Sequence, residues 1–173
     1  GEKLRFVEMA ENNAKITLEN KQKDKTEILE ELKEKLELEK YPERIECFDI
    51  SNISGSYIVA GMWVMENGII KRNLSRRFRI KTVESQDDVR CMEEVITRRI
   101  KHSVEGESSG FGRLPDVIFA DGGITQIRAI KKAVAKYNID IPVFGMVKND
   151  KHQTRALIKE NREEIEISEK LLN

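Results

Sequence analysis

The sequence has few cysteines, one tryptophan and no net charge in its 173 residues. Cys47 and Cys91 form no CxxC pair and have no metal-ligand spacing. This favours two buried, reduced thiols in a reducing compartment. The 31 basic and 31 acidic residues cancel, so the bulk charge gives no sign of a nucleic-acid-binding protein. Any basic surface must therefore be local.

Long apolar segments are also missing. The longest apolar run, YIVAGMWVM at 57–65, is shorter than the roughly 18 to 20 residues that a membrane span requires. The N-terminal GEKLRF lacks the apolar region of a signal peptide. We therefore expect a cytoplasmic protein without membrane contacts.

The first part of the chain has the apolar spacing of helices. Apolar residues recur at helical intervals over residues 4 to about 39, in two segments. Thr26 is placed to cap the second segment, and Pro42 to end it. We predict a helical N-terminal extension over 1–41 and a separate core domain over 42–173.

The rest of the chain predicts an α/β fold with a mixed sheet in the order βββαβαβ. Asn67-Gly68 between two apolar runs is a strong hairpin signal, and Ser85 is placed to cap the first helix of this part. The predicted strands and helices are strands 44–50, 57–65 and 69 to about 80, a helix from 85, strand 116–120, helix 124–137 and strand 141–147.

Two aspartates follow apolar strand sequences in matching contexts. Asp49 precedes Ser51-Asn52, and Asp121 precedes Gly122-Gly123. If their strands are parallel neighbours, both carboxylates reach the same sheet edge, where α/β proteins bind ligands. Two close carboxylates repel unless a cation lies between them or one is protonated, and oxygen ligands suit Mg²⁺ or Mn²⁺. The alternatives are that Asp49 accepts hydrogen bonds from a turn and that Asp121 caps the next helix.

Basic residues cluster after the hairpin. We count ten Lys or Arg against five acids over 71–104, a patch suited to phosphate contacts; the alternative is a solvated sheet face. Trp63 and Met65 are predicted to pack in the core rather than to stack on bases. The predicted DNA-binding residues are Lys71, Arg72, Arg76, Arg77, Arg79, Arg98, Arg99 and Lys148.

Several motifs in one order resemble a known family: PERIECFDIS, RRFRIK, DDVRCMEEVITRR, LPDVIFADGG and IPVFGMVKNDKH. Together they are similar to the C-terminal nuclease half of UvrC, the incision subunit of bacterial nucleotide excision repair. The resemblance runs from about residue 1 to the C-terminus. It implies an RNase H-like fold and metal-dependent hydrolysis of a DNA phosphodiester on the 5′ side of a lesion. It also implies partnership with UvrB, with UvrA upstream, on damaged double-stranded DNA.

The resemblance assigns roles to individual positions. Asp49 and Asp121 match the family's catalytic aspartates and would hold the metal, and Asp88 matches a third acidic position. Because Asp88 opens a predicted helix, an alternative role is to stabilise that helix end. Asn52 stands where the family often has a histidine, and its carbonyl is suited to ligate the metal or orient a water.

The family also has a catalytic histidine on a later helix, followed by helix-hairpin-helix motifs. The matching residues end before them, so we expect a truncated, monomeric nuclease core. His152, in the predicted loop after the fifth strand, is either a substitute base or a loop residue near DNA. The alternative function is a non-catalytic RNase H-like module that docks DNA or a partner. A nuclease of the same fold with four clustered carboxylates is disfavoured, because this sequence has too few acidic residues near its strand ends. An ATPase of that fold would need a second domain, for which 173 residues leave no room.

Overall fold

A computed structural model describes residues 2–53, 57–83, 87–106 and 111–168. It contains three helices and eight strands: Glu2–Lys35 (α1), Arg44–Ile53 (β1), Tyr57–Glu66 (β2), Ile69–Ile70 (β3), Arg76–Arg79 (β4), Asp88–Val104 (α2), Val117–Ala120 (β5), Ile124–Ala135 (α3), Val143–Lys148 (β6), Thr154–Ile158 (β7) and Glu164–Glu166 (β8). Among the described residues, no helix is long and apolar enough to cross a membrane.

The N-terminal segment is one helix, and the predicted division at Thr26 is wrong. The Thr26 hydroxyl lies within α1 and donates to the Gln22 carbonyl at 3.0 Å. Threonine satisfies its hydroxyl in this way inside a helix, one turn back, and so does not interrupt it. The helix ends at Lys35, well before Pro42. Two residues after the helix end, Glu37 has a positive φ of 53°. This left-handed residue closes the last turn.

The strands form one mixed sheet. Its order is β3-β2-β1-β5-β6-β7-β8, and β4 also pairs with β2. Strand β1 is antiparallel to β2 and parallel to β5, which is parallel to β6. The predicted antiparallel meander followed by parallel strands is therefore confirmed.

The predicted hairpin is confirmed, but the predicted third strand is broken. Asn67 and Gly68 have φ values of 50° and 77°, as a tight turn that matches the twist of its strands requires. The chain pairs only at Ile69–Ile70 before it turns. Ser75 stabilises this turn, because its hydroxyl donates to the Lys71 carbonyl at 3.0 Å and accepts the Val64 N–H at 3.1 Å. Pairing with β2 resumes in β4.

Strands β7 and β8 extend the sheet beyond the predicted elements. Strand β7 pairs antiparallel with β6, and β8 pairs antiparallel with β7. Both strands are short, and β8 has two glutamates among its three residues, so the apolar pattern that identified the other strands is weak there. Arg155 of β7 and Glu164 of β8 form an ion pair at 3.0 Å across the outer pair of strands.

The sheet has a hydrophobic core on each face. Helices α2 and α3 cover one face, and the C-terminal part of α1 covers the other. The helix faces predicted from the sequence are buried as expected, at Met92, Val95, Ile96, Ile100, Ile127, Ile130 and Val134. On the other face, Leu29 and Leu32 of α1 and Leu36 just after it are buried against the sheet. Leu4 and Leu18 of α1 are exposed. The predicted boundary near residue 41, between the helical extension and the core domain, stays a prediction.

A charged network is buried between β1 and α2. The side chains of Glu46 and Arg99 are both 0% exposed and form an ion pair at 2.7 Å. Arg44, only 2% exposed, adds a second pair to Glu46 at 3.0 Å. Arg99 also donates to the carbonyls of Phe111 and Arg113. Arg44 also pairs with the partly exposed Glu66 at 2.9 Å. The two arginines thus face two carboxylates, and the network joins helix and strand without an isolated buried ion.

Candidate active site

Strands β1 and β5 place the two aspartates side by side. Their parallel pairing ends at Phe48 and Ala120, one residue before each aspartate. The Asp121 N–H then donates to the Phe48 carbonyl at 2.9 Å, which fixes the Asp121 turn beside Asp49. The prediction that Asp49 closes its strand is wrong, because β1 continues to Ile53 against β2. Asp49 instead lies within β1, just past the end of its pairing with β5.

The two carboxyl groups interact. Burial raises the pKa of Asp49 above its usual value, and the adjacent Asp121 carboxyl raises it further. The Ser51 hydroxyl donates to Asp49 Oδ2 at 3.2 Å and acts in the opposite direction. Two carboxyl groups held this close to each other favour a cation between them.

Lys148 supplies a positive charge at this place. Its Nζ donates to Asp121 Oδ2 at 2.6 Å, and this hydrogen bond raises the pKa of Lys148. The pairing of β6 with β7 shifts register between Val147 and Lys148, an irregularity of the kind that redirects a side chain. The ammonium group therefore offsets part of the paired negative charge.

The turn after Asp121 brings backbone close to the site. Helix α3 begins with Gly123 as its N-cap, without a side-chain cap, so the predicted alternative that Asp121 caps this helix is wrong. A Cβ on Gly123 would meet nothing within 4 Å, which leaves open space beside the turn. The backbone at Gly122 and Gly145 has no such open space beside it. A Cβ on Gly145 would lie 2.5 Å from the Gly122 carbonyl oxygen, so these two backbone segments are in direct contact.

The donor set suits a hard divalent cation. Magnesium is commonly bound through one or two carboxylates, with waters and substrate phosphates in its other positions. Asp49 and Asp121 provide two such carboxylates. Burial and the two carboxylates raise the pKa of Cys47, on the same strand as Asp49, to about 12, so its thiol stays protonated and is a poor ligand. No group of three or more His, Cys, Asp or Glu side chains converges within the described parts of the chain.

Asp88 is not brought to the aspartate pair. It is the first residue of α2, and Asp87 before it is the N-cap, whose carboxylate accepts the Arg90 N–H at 3.1 Å. Asp88 thus lies where an acid stabilises the helix dipole. The predicted cap, Ser85, lies outside the described residues.

The two remaining candidates do not complete the site. Asn52 belongs to β1, opposite Ile58 of β2, but its side chain lies outside what the structure describes. His152 is exposed in the turn between β6 and β7, with a φ of 59°, and its N–H donates to the Asn149 carbonyl. It belongs to no group of three or more potential metal ligands among the described residues, so the geometry supports the loop role.

The predicted basic surface separates into several environments. A DNA-binding role for Arg99 is wrong, because its side chain is fully buried on Glu46. Arg98 is half-buried and donates to the Arg79 carbonyl at 2.8 Å. The guanidinium of Arg76 lies over the Phe111 ring. Lys71 is half-buried, and the exposed members of the predicted set are Arg72, Arg76, Arg77, Arg79 and Lys148.

Sequence reasoning missed the partners that organise these charges. Glu46, which pairs with Arg99, and Lys148 as a partner of Asp121 were not expected. The alternation of β1 contained a signal, since Glu46 shares a face with buried Phe48. The prediction that Trp63 packs in the core is also wrong, because it is 55% exposed, whereas Met65 does pack against the core under α1.

Comparison with known proteins identifies the family. The model of the UvrC RNase H endonuclease domain matches residues 33–171. The chain belongs to this family. It is 41% identical to the UvrABC system protein C of Acetivibrio thermocellus over 94% of this chain and 29% of that protein. It is also 41% identical to that of Clostridium acetobutylicum, over 100% of this chain and 31% of that protein. The chain therefore spans under a third of the length of these UvrC proteins.

The mixed sheet with its helices is the RNase H-like fold of this UvrC domain. Among solved structures, the chain is similar to Ciona intestinalis endonuclease V in complex with DNA that contains an inosine. That similarity has a TM-score of 0.44 and 15% identity, and covers 62% of this chain and 47% of that chain.

Proposed function

We propose that this chain is the nuclease core of a UvrC protein, which hydrolyses a DNA phosphodiester on the 5′ side of a lesion within the UvrABC nuclease. The observation that carries the proposal is the pairing of Asp49 with Asp121 at the carboxyl end of β5, in a chain of the UvrC nuclease family. The substrate is damaged double-stranded DNA, and UvrB is the partner that presents it, with UvrA acting earlier. We expect a monomer that works in the cytoplasm.

Asp49 and Asp121 are the residues that would hold Mg²⁺ or Mn²⁺. When bound, such an ion offsets the negative charge that develops on the phosphate during phosphoryl transfer. Side chains of the protein itself orient the two carboxylates. Ser51 holds one oxygen of Asp49, and Lys148 holds one oxygen of Asp121, so both carboxylates are positioned before the substrate arrives.

The surroundings of the pair admit a phosphate. The open space at Gly123 leaves room beside the backbone at the start of α3. Lys148 is 37% exposed, so its ammonium can contact both Asp121 and an incoming phosphate oxygen. In this arrangement water adds to phosphorus and releases a proton to the solvent, while the bond between phosphorus and the leaving oxygen breaks and that oxygen takes up a proton. The chain fixes the geometry of the reacting groups.

Manganese binding tests the assignment. Titration calorimetry of Mn²⁺ into the chain should show binding that Asp49→Asn weakens at least about tenfold, because one of two charged ligands is lost. Asp88→Asn is the matched control, since it removes an equal charge outside the pair, and should leave the affinity within about twofold. Equal losses in both variants would contradict the site. A purely docking module would bind no Mn²⁺ at either aspartate.

Incision tests the activity. Asp49→Asn placed in the complete UvrC protein, assayed with UvrA and UvrB on lesion-containing DNA, should abolish the 5′ cut and leave folding intact. Persistence of that cut would show that the chemistry lies elsewhere.

A further inference from the structure

Three residues form a row across the sheet beside the aspartate pair. Asp49 of β1 lies opposite Gly61 of β2, and Gly61 lies opposite Arg77 of β4. Residues directly opposite each other on neighbouring antiparallel strands point to the same face. Asp49 and Arg77 therefore flank Gly61 on one face. With strands about 4.8 Å apart, their Cα atoms are about 10 Å from each other.

Gly61 has no explanation in the fold. Glycine inside a strand is destabilising relative to alanine, because it loses more backbone freedom on folding. Pairing is regular on both sides of Gly61, so no bulge requires it. Among the described residues, positive-φ glycines occur only at Gly68 and Gly106. A Cβ on Gly61 would make one ordinary contact, 3.9 Å from the Trp63 ring nitrogen. A strand glycine of this kind marks the close approach of a ligand or of another backbone.

Arg77 differs from its arginine neighbours. Arg76 donates to the Asn73 carbonyl at 2.6 Å, and the guanidinium of Arg79 lies over the Tyr57 ring at 4.8 Å. Arg77 is exposed, and the structure gives its side chain no hydrogen bond, ion pair or ring contact with any described residue. Its guanidinium is thus available for an external anion.

We propose that a DNA strand crosses the sheet face over Gly61, so that Arg77 binds a backbone phosphate that neighbours the one held at Asp49 and Asp121. The inference rests on the proposed nuclease function and adds the direction of the substrate. A guanidinium binds a phosphate with two parallel hydrogen bonds. The missing side chain at Gly61 lets the sugar-phosphate backbone lie directly on the sheet between the two charged residues. Any larger residue there would stand between Asp49 and Arg77 and lift the strand away.

The test is the affinity of the chain for a fluorescein-labelled single-stranded oligonucleotide, measured by anisotropy with Ca²⁺ in place of Mg²⁺. Arg77→Gln should weaken binding about tenfold, since a charged hydrogen-bond donor is lost. Arg162→Gln is the matched control, because it removes an equal charge from an exposed arginine in the turn between β7 and β8, outside the row, and should change the affinity less than about twofold. Equal losses from Arg162→Gln and Arg77→Gln would overturn the route.

Gly61→Val tests the crossing itself. Valine favours strands, so the melting temperature should stay equal or rise while the affinity falls at least about tenfold. A variant that binds as tightly as the wild type would overturn the proposal. If Gly61→Val lowers the melting temperature, the DNA affinity of Gly61→Ala becomes the deciding measurement. Its methyl group has ordinary room, so the fold should persist and the affinity should still fall about threefold.

The outcomes separate this inference from the proposed function. Manganese binding at Asp49 with DNA affinity insensitive to Gly61 and Arg77 would refute the crossing and leave the metal site intact. DNA binding that depends on Arg77, without manganese binding, would keep the crossing and refute the metal nuclease. A wild-type chain that binds manganese but no DNA would refute the crossing.

Discussion

At the scale of single residues, side chains of the same type have different environments because they have different partners. Arg98 and Arg99 are adjacent in α2, yet Arg98 reaches the surface and Arg99 is fully buried. The difference follows from the helix, which turns about 100° per residue and directs neighbours to different faces. A charge count over this segment describes its composition. The partners of each arginine, such as Glu46 for Arg99 and Glu94 for Arg98, decide which arginines remain for a ligand.

Removal of Glu46 should therefore destabilise the protein strongly. Glu46→Ala leaves Arg99 buried without a counter-charge and Arg44 with only the partly exposed Glu66, and loss of one partner from a buried pair costs about 3 to 5 kcal/mol. Glu43→Ala is the control, because its pair with Arg113 is about half exposed and is expected to contribute less than about 1 kcal/mol. Urea denaturation measures both free energies of unfolding. Similar losses in the two variants would contradict a structural role for the buried network.

Lys148 should compete with a divalent cation for Asp121. Lys148→Met removes the ammonium group 2.6 Å from Asp121 Oδ2, so the carboxylate pair keeps its full negative charge and should bind Mn²⁺ several-fold more tightly in the absence of DNA. Lys151→Met, an exposed lysine in the next turn, should leave the affinity unchanged. Calorimetric titration checks this, and weaker binding in Lys148→Met would show that the lysine supports the cation site.

At the scale of elements, Glu94 attaches the segment after β4 to α2. Its carboxylate accepts the N–H groups of Lys81 and Thr82 at 2.9 and 3.0 Å and the Thr82 hydroxyl at 2.6 Å. Burial raises the pKa of Glu94, but the hydrogen bonds from Thr82 and Lys81 and the charge of Arg98 outweigh it, and the pKa is lowered overall.

The lowered pKa gives Glu94 a pH-dependent contribution to stability. That contribution is complete above the usual glutamate pKa of 4.5 and is lost as the pH falls through the lower pKa of the folded state. Glu94→Gln should cost about 1 kcal/mol near neutral pH, and the difference from wild type should shrink below about pH 4. Denaturation at several pH values measures this, and a difference that is constant with pH would refute it.

Most elements were predictable from the sequence because their signals are local. Asn67-Gly68 determines a hairpin by itself, and the apolar spacing of α2 and α3 predicts their buried faces. Thr26 misled the prediction, since a threonine hydroxyl suits a cap and a helix interior equally well until its partner is known. The aspartate pair was predictable from strand ends, but its contact with Lys148 depends on an irregularity between β6 and β7 that leaves no pattern in the sequence.

At the scale of the whole molecule, zero net charge and the internal pairing of most arginines predict weak dependence of DNA binding on salt. The logarithm of the binding constant falls with that of the salt concentration, with a slope of about −0.7 per phosphate neutralised on single strands. With few arginines and lysines available on one face, we expect a slope shallower than about −3. Anisotropy titrations at several salt concentrations measure it. A slope near −6 would show a much larger basic footprint than the described surface provides.

The contact between Gly145 and Gly122 has a consequence for mutational screens. Any side chain at Gly145 meets the Gly122 carbonyl and pushes on the turn that carries Asp121, although Gly145 has no functional group and lies on the next strand. A selection for repair-deficient variants would therefore recover Gly145 beside the aspartates. Substitutions at Gly145 would be tolerated as poorly as substitutions of a catalytic residue. The cause would be the close approach of the two backbone segments.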